Sequence, residues 1–191
     1  METAKIDNKN IFYPPGGILM WIIIILELFT FGIALVVLAI SSKENPEAFH
    51  QSSTHLNATY GTINTIFLLT SGFFMATSLH QFKLKNIKKS SFYLKLTMLS
   101  GILFLILKTL EYQEKISDGF VMGYDTFFSF YWLLTGFHVI HVLVGLVILL
   151  ILNQTMKKPD ALTEDFEASA TFWHMCDLIW LLLFPILYLI F

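Results

Sequence analysis

The chain contains no arginine and a single cysteine, Cys176. One thiol cannot close an intrachain disulfide or form a CxxC metal or redox motif. Inside an apolar run, Cys176 reads as a small buried apolar residue. Charge is scarce as well. Asp, Glu, Lys and Arg make up 14% of the 191 residues, against roughly 25% in a soluble domain. Twelve lysines and fourteen acids leave a formal net charge of −2, with no basic face of the kind that binds nucleic acid. Hydrocarbon fills the gap: 55% of residues are hydrophobic and the mean hydropathy is +0.67.

The apolar residues fall into five runs, about 17–40, 62–82, 92–112, 125–152 and 168–191. Each is near the roughly 20 residues that cross a bilayer as a helix. Short polar segments join them and leave no room for a soluble domain. The expected fold is all-α, a polytopic membrane protein built as a five-transmembrane-helix bundle over residues 17–191, with residues 1–16 as a polar tail. That tail ends in Pro14-Pro15-Gly16-Gly17. The run after it is too long for a signal peptide and lacks a small-residue cleavage site, so it reads as an uncleaved first span.

The lysines orient the bundle. Lys5 and Lys9 precede the first span, Lys83, Lys85, Lys88, Lys89 and Lys95 cluster around the second loop, and Lys157 and Lys158 follow the fourth span. All nine fall on one side, whereas only Lys43 and Lys115 fall on the other. The positive-inside rule then puts the N-terminus in the cytoplasm and the C-terminus outside.

Ionisable residues inside the spans mark a function or a helix contact, because hydrocarbon penalises them. The run Thr135-Gly136-Phe137-His138-Val139-Ile140-His141-Val142-Leu143-Val144-Gly145 holds two histidines three residues apart. That spacing predicts one shared helix face, and Gly145 lets a neighbouring helix come close. Glu27 lies near the middle of the first span, where a carboxylate costs on the order of 3 kcal/mol. It reads either as a proton-active group or a lipid or partner contact, or as a protonated carboxyl hydrogen-bonded to a neighbouring helix. Asn64, Ser71, Gly72, Met75 and Ser78 recur at helical spacing and predict a packing seam. His80, near the lysine-rich end, reads as a snorkelling or capped histidine. Lys108 and Glu111 are three apart and predict either an interfacial ion pair that ends the third span or a docking contact for a partner. In the last span Trp173, His174, Asp177 and Trp180 share a stripe. Asp177 is spaced to orient the His174 imidazole, which leaves structural, proton-uptake and metal roles open. Pro185 predicts a kink.

A ligand role for the histidines meets a geometric obstacle. Residues on one face of a helix cannot approach opposite faces of one haem, which rules out His138 with His141. His80 and His174 fall at similar depth in the apolar runs and remain a formal alternative. No copper site is visible, since that needs clustered Cys, His and Met ligands.

Together these motifs resemble subunit III of the haem-copper (cytochrome c) oxidases. The resemblance rests on Thr135-Gly136-Phe137-His138 with His141-Val142 and Gly145, and on Trp173-His174 with Asp177 and Trp180. Glu27 with Phe29, Ile63-Asn64-Thr65, Leu68-Leu69-Thr70-Ser71-Gly72, Glu111-Tyr112 and Ile116-Ser117-Asp118-Gly119 match in the same order. It covers nearly all of residues 17–191. Met20-Trp21, Lys108, Glu114-Lys115-Ile116, Phe172 to Met175 and Phe184-Pro185 resemble the small five-span branch labelled NorE. That branch implies an accessory subunit of nitric oxide reductase as the alternative to an oxidase.

The resemblance implies a non-catalytic subunit that carries no haem or copper itself. It would pack against subunit I, which holds both, and against other oxidase subunits in a bacterial inner membrane. It would bind phospholipid in a cleft and sustain proton uptake. Glu27, His138 and His141 would be the lipid- or proton-related residues. Asn64, His80, Glu111, Thr135, Gly145, Trp173, His174 and Asp177 would be packing and hydrogen-bonding groups. Larger members carry two further N-terminal helices that wall the cleft, whereas this chain begins at their third. Two rivals belong to other classes: a small proton-coupled transporter, expected to carry protons alone in liposomes, and a b-type cytochrome, expected to absorb visible light.

Overall fold

The computed structural model describes residues 16–158 and 161–190. Lys5, Lys9 and nearly all of the polar tail lie outside that range. Five helices are long and apolar enough to span a bilayer. They are α1 (Gly17–Glu44), α3 (Ala58–Lys83), α4 (Ile87–Ser117), α5 (Thr126–Thr155) and α6 (Thr163–Pro185), with a π-helical turn, Ile186–Ile190, continuing α6. A short helix, α2 (Pro46–Ser53), lies between the first two spans. It was not foreseen, because its eight residues form one polar-apolar stretch too short for a periodic signal. The spans also run past the apolar runs that announced them. α4 has 31 residues and continues to Ser117 because its outer polar residues find partners inside the protein.

Local chemistry sets the helix starts. Asn57 and Asp125 are N-caps, accepting from the backbone N–H of Thr59 and Phe128 at 2.9 and 2.6 Å; such caps satisfy amides that the helix leaves unpaired. Pro46 opens α2 at a position where its missing N–H costs nothing. Gly16 adopts φ +81°, and a Cβ there would lie 2.7 Å from Ala168 Cα. Both conditions demand glycine where the entry to α1 crosses α6.

The layout places α6 at the centre, packed against α3 on one side and α1 and α5 on the other. α4 pairs antiparallel with α3. Ser78 and Ser90 exchange hydroxyl-to-carbonyl hydrogen bonds at 2.8 and 2.9 Å, and the Ser71 hydroxyl donates to Thr97 O at 3.2 Å. The predicted seam Asn64, Ser71, Gly72, Met75 and Ser78 is buried throughout. In hydrocarbon, close approach and interhelical hydrogen bonds hold helices together, and small residues serve both.

Trp173 shows how closely. A Cβ on Gly101 would stand 2.7 Å from its ring, and one on Gly145 would stand 2.9 Å from it. α4 and α5 thus supply bare backbone on either side of one indole, whose Nε1–H donates to Ser71 Oγ at 2.8 Å. The close contact expected at Gly145 is with this ring. Gly101→Val should therefore strain the contact by roughly 1–3 kcal/mol. Thermal unfolding in mild detergent checks this: the variant should melt below wild type, while Gly136→Ala, where a Cβ meets nothing within 4 Å, should not.

Candidate functional site

The bundle core holds a charge pair that it fully encloses. Lys108 is 1% exposed and Glu111 is 0% exposed. This corrects the expected interfacial pair: α4 runs on past it, and α5, α6 and the π turn close over it. The Lys108 ammonium has three protons and spends each of them, on Glu111 Oε2 at 3.0 Å, Tyr131 OH at 3.2 Å and Tyr188 OH at 2.7 Å. Both phenols then donate to Glu111 Oε1, at 2.9 Å from Tyr131 and 2.5 Å from Tyr188. The rings of Tyr112, Tyr131, Trp180 and Tyr188 surround the ammonium at 4.8–5.4 Å, a distance at which aromatic faces attract cations. Tyr112 OH donates to Thr135 Oγ1 at 2.9 Å, and Thr135 donates back to Tyr131 O at 2.6 Å. Thr135 thus links α4 to the backbone of α5. The cluster is neutral overall and saturated, the condition under which an ion pair tolerates burial.

Tyr131 and Tyr188 escaped the sequence reading. Tyr188 lies in an unbroken apolar run, and its place depends on Pro185. Pro185 lacks an N–H and cannot continue the hydrogen-bond ladder normally. The chain answers with a π turn rather than a simple kink, which shifts the phase of the last residues and delivers Tyr188 to Lys108.

A second pair joins α1 to α5. His141 Nε2 lies 3.2 Å from Glu27 Oε2, and His141 Nδ1 lies 2.8 Å from Phe137 O. A carbonyl only accepts, so Nδ1 carries a proton. The Nε2–Oε2 contact is at ion-pair distance and ties α1 to α5. The pair lies at the edge of the bundle, where the Glu27 side chain remains 24% exposed.

His138 does not join them. The two histidines divide between neighbouring interfaces, because a three-residue step turns the helix by about 60° short of a full turn. His138 is fully buried, its ring stacked on Trp180 at 5.4 Å and met edge-on by Phe104 at 5.6 Å. Neither ring nitrogen has a hydrogen-bond partner among the described residues, nor does either side-chain polar atom of Asn64. Asn64, expected among the packing and hydrogen-bonding groups, makes no hydrogen bond among the described residues, and both residues are held by packing. The α3–α4 register that pairs Ser71 with Thr97 and Ser78 with Ser90 sets Asn64 level with Phe104. Asn64 therefore occupies the same layer as His138.

Near the other end, His174 Nδ1 stands 3.6 Å from Asp177 Oδ2, an ion-pair distance rather than a hydrogen bond. The His174 side chain is 44% exposed, not buried as the resemblance implied. Asp177 packs so tightly on α3 that a Cβ on Gly72 would lie 2.6 Å from its Oδ2. Trp173 and Trp180 are buried on one stripe, as expected, and Trp180 Nε1–H donates to Thr65 Oγ1 at 3.0 Å. His80 is exposed. It lies eight residues along α3 from Gly72, which neighbours His174, so it sits about 12 Å away along the axis. The supposed common depth of His80 and His174 is corrected with it: apolar run boundaries do not set the registry of two helices.

The fold and its buried polar layers define a multi-pass membrane protein whose helices are joined by side-chain networks. Its residues 52–190 match the family described as cytochrome c oxidase subunit III. The chain belongs to that family. It is 36% identical over 135 residues to the probable cytochrome c oxidase subunit 3 of Rickettsia conorii, covering 66% of this chain and 46% of that protein. It is 38% identical over 133 residues to the cytochrome c oxidase subunit 3 of Rhipicephalus sanguineus, covering 66% of this chain and 49% of that one. To the cytochrome bo(3) ubiquinol oxidase subunit 3 of Buchnera aphidicola it is 27% identical over 176 residues, covering 89% and 84%. The chain spans about half the length of the cytochrome c oxidase relatives it matches. Glu27 lies outside the family match, whereas Glu111, Thr135, His138, His141, His174 and Asp177 lie inside it.

Two substitutions test this geometry. Lys108→Met leaves Glu111 buried and unpaired and should cost about 3–5 kcal/mol, much of it restored in the double variant Lys108→Met/Glu111→Leu; denaturant unfolding in detergent reads both. Glu27→Gln keeps a polar side chain of the same shape beside His141 and should cost no more than about 1 kcal/mol. Glu27→Lys, which sets an ammonium against His141, should lower the melting temperature markedly more in the same assay.

Proposed function

We propose that this chain is the non-catalytic subunit III of a haem-copper terminal oxidase in aerobic respiration. The observation that carries the reading is the family match across α3 to α6, which includes the residues that build the buried Lys108–Glu111 network. That network supports a structural role: it makes a rigid body of four segments, one able to present a constant face to a larger partner. Electron transfer and oxygen chemistry would belong to subunit I, with its haem and copper. This chain would buttress that subunit and other oxidase subunits, and would sustain proton uptake on the partner's behalf.

Two finer points belong to the same proposal. The lysine asymmetry supports a chain in the bacterial inner membrane, with its N-terminus in the cytoplasm and its C-terminus outside. An apolar groove of about 210 Å³ between α1 and α5, lined by Thr30, Phe31, Ala34, Leu133, Leu134 and Phe137, supports phospholipid contact. It begins one turn from the Glu27–His141 pair, so an acyl chain would lie beside that pair.

The deciding experiment is affinity purification of the tagged chain from its native membranes in mild detergent. A haem-copper subunit I, with its visible haem spectrum, should elute with it at constant stoichiometry. Recovery of the chain alone from membranes that contain an assembled oxidase overturns the proposal.

A further inference from the structure

The membrane-facing stripe of α4 carries cations that the bundle does not use. Lys88, Phe92, Lys95, Leu99, Ile106 and Leu110 fall at steps of three, four and seven and therefore share one face. All of them are exposed. Among the described residues only Lys83, Lys108 and Lys115 enter lysine ion pairs, so Lys88 and Lys95 face outward without an acid. Lys95 lies eight residues inside α4, about 12 Å from its start. An ammonium at that depth is costly against lipid unless it reaches the interface. Side chains on an α-helix lean toward its N-terminus, and here that direction carries Lys95 toward Lys88 and the lysine-rich end.

The apolar remainder has a telling length. From Leu99 to Leu110 the stripe covers about 16 Å, close to one leaflet of a bilayer whose hydrocarbon core is about 30 Å thick. Two cations two turns apart on one face, about 10 Å along the axis, can reach one headgroup phosphate between them, and the leaflet of apolar surface beyond them matches its acyl chains. We propose that Lys88 and Lys95 bind the phosphate of an anionic phospholipid whose chains lie along Leu99 to Leu110 of α4. The site lies on α4 rather than in the α1–α5 groove, is specified by headgroup charge, and does not depend on the subunit reading.

Native mass spectrometry of the purified full-length chain tests it, with phosphatidylglycerol or phosphatidylcholine of the same acyl chains added. Wild type should retain phosphatidylglycerol in preference. Lys88→Gln/Lys95→Gln should reduce that preference by about tenfold or more, since each lysine near an anionic headgroup adds substantially to binding. Lys43→Gln, at the other end of the bundle, should leave it unchanged. Equal retention of the two lipids by wild type overturns the proposal, and so does a double variant that keeps the preference. A photo-crosslinker at Phe92 in native membranes gives a check free of variant misfolding: capture of lipid supports the site, and capture of a polypeptide overturns it.

Discussion

A lysine and a glutamate held inside an apolar bundle must satisfy each other completely, and the rest of this structure answers to that constraint. Coulomb attraction alone does not compensate for removing two charges from water. The remaining protons and lone pairs need partners as well. Lys108 has three protons and Glu111 two oxygens, and Tyr131 and Tyr188 connect them by accepting from one and donating to the other. Those phenols arrive from α5 and from the π turn beyond α6, so the pair on α4 dictates where two other segments sit.

Much of the remaining architecture follows from α6 occupying the middle of the bundle. A central helix in lipid needs neighbours that come close, since no hydrophobic effect drives helices together there. Gly101, Gly145 and Gly72 supply that closeness against Trp173 and Asp177, while Ser71 and Thr65 take the indole protons of Trp173 and Trp180. Polar satisfaction and steric closeness therefore recur as layers along α6. The layer of Asn64 and His138, and Oδ1 of Asp177, are buried without hydrogen-bond partners among the described residues. The outer surface divides by the same logic, with apolar stripes toward lipid, a Glu27–His141 contact at 3.2 Å between α1 and α5, and most lysines at one rim.

Part of the candidate site was legible in the residues. The seam of Asn64, Ser71, Gly72, Met75 and Ser78 could be read because helical periodicity is local and small residues mark close packing. Lys108 and Glu111 could be paired because three residues is a fixed helical distance. Their burial could not be read, since it depends on Tyr131 and Tyr188, which stand 20 and 77 positions from Glu111. Glu27 and His141 were each flagged, yet not as partners. His138 and His141 looked like one face because adjacent turns coincide roughly, and the structure shows that 60° is enough to send them to different helices. α2 was missed because eight residues carry too little pattern.

What the sequence determined by itself was the solvent and the class. Long apolar runs can satisfy their backbone in lipid only as helices, so five spans, their approximate limits and an all-α fold follow from composition and length. The ordered motifs along those spans also sufficed to indicate the family. The tertiary structure alone decided which polar residues meet: Lys108 with Tyr188, Glu27 with His141, Trp173 between two glycines, and His138 between Phe104 and Trp180. The physical reason is that intrahelical spacing is set by a fixed rise and turn, whereas interhelical contact depends on registry and rotation. Those are settled only when all the buried polar groups are placed together.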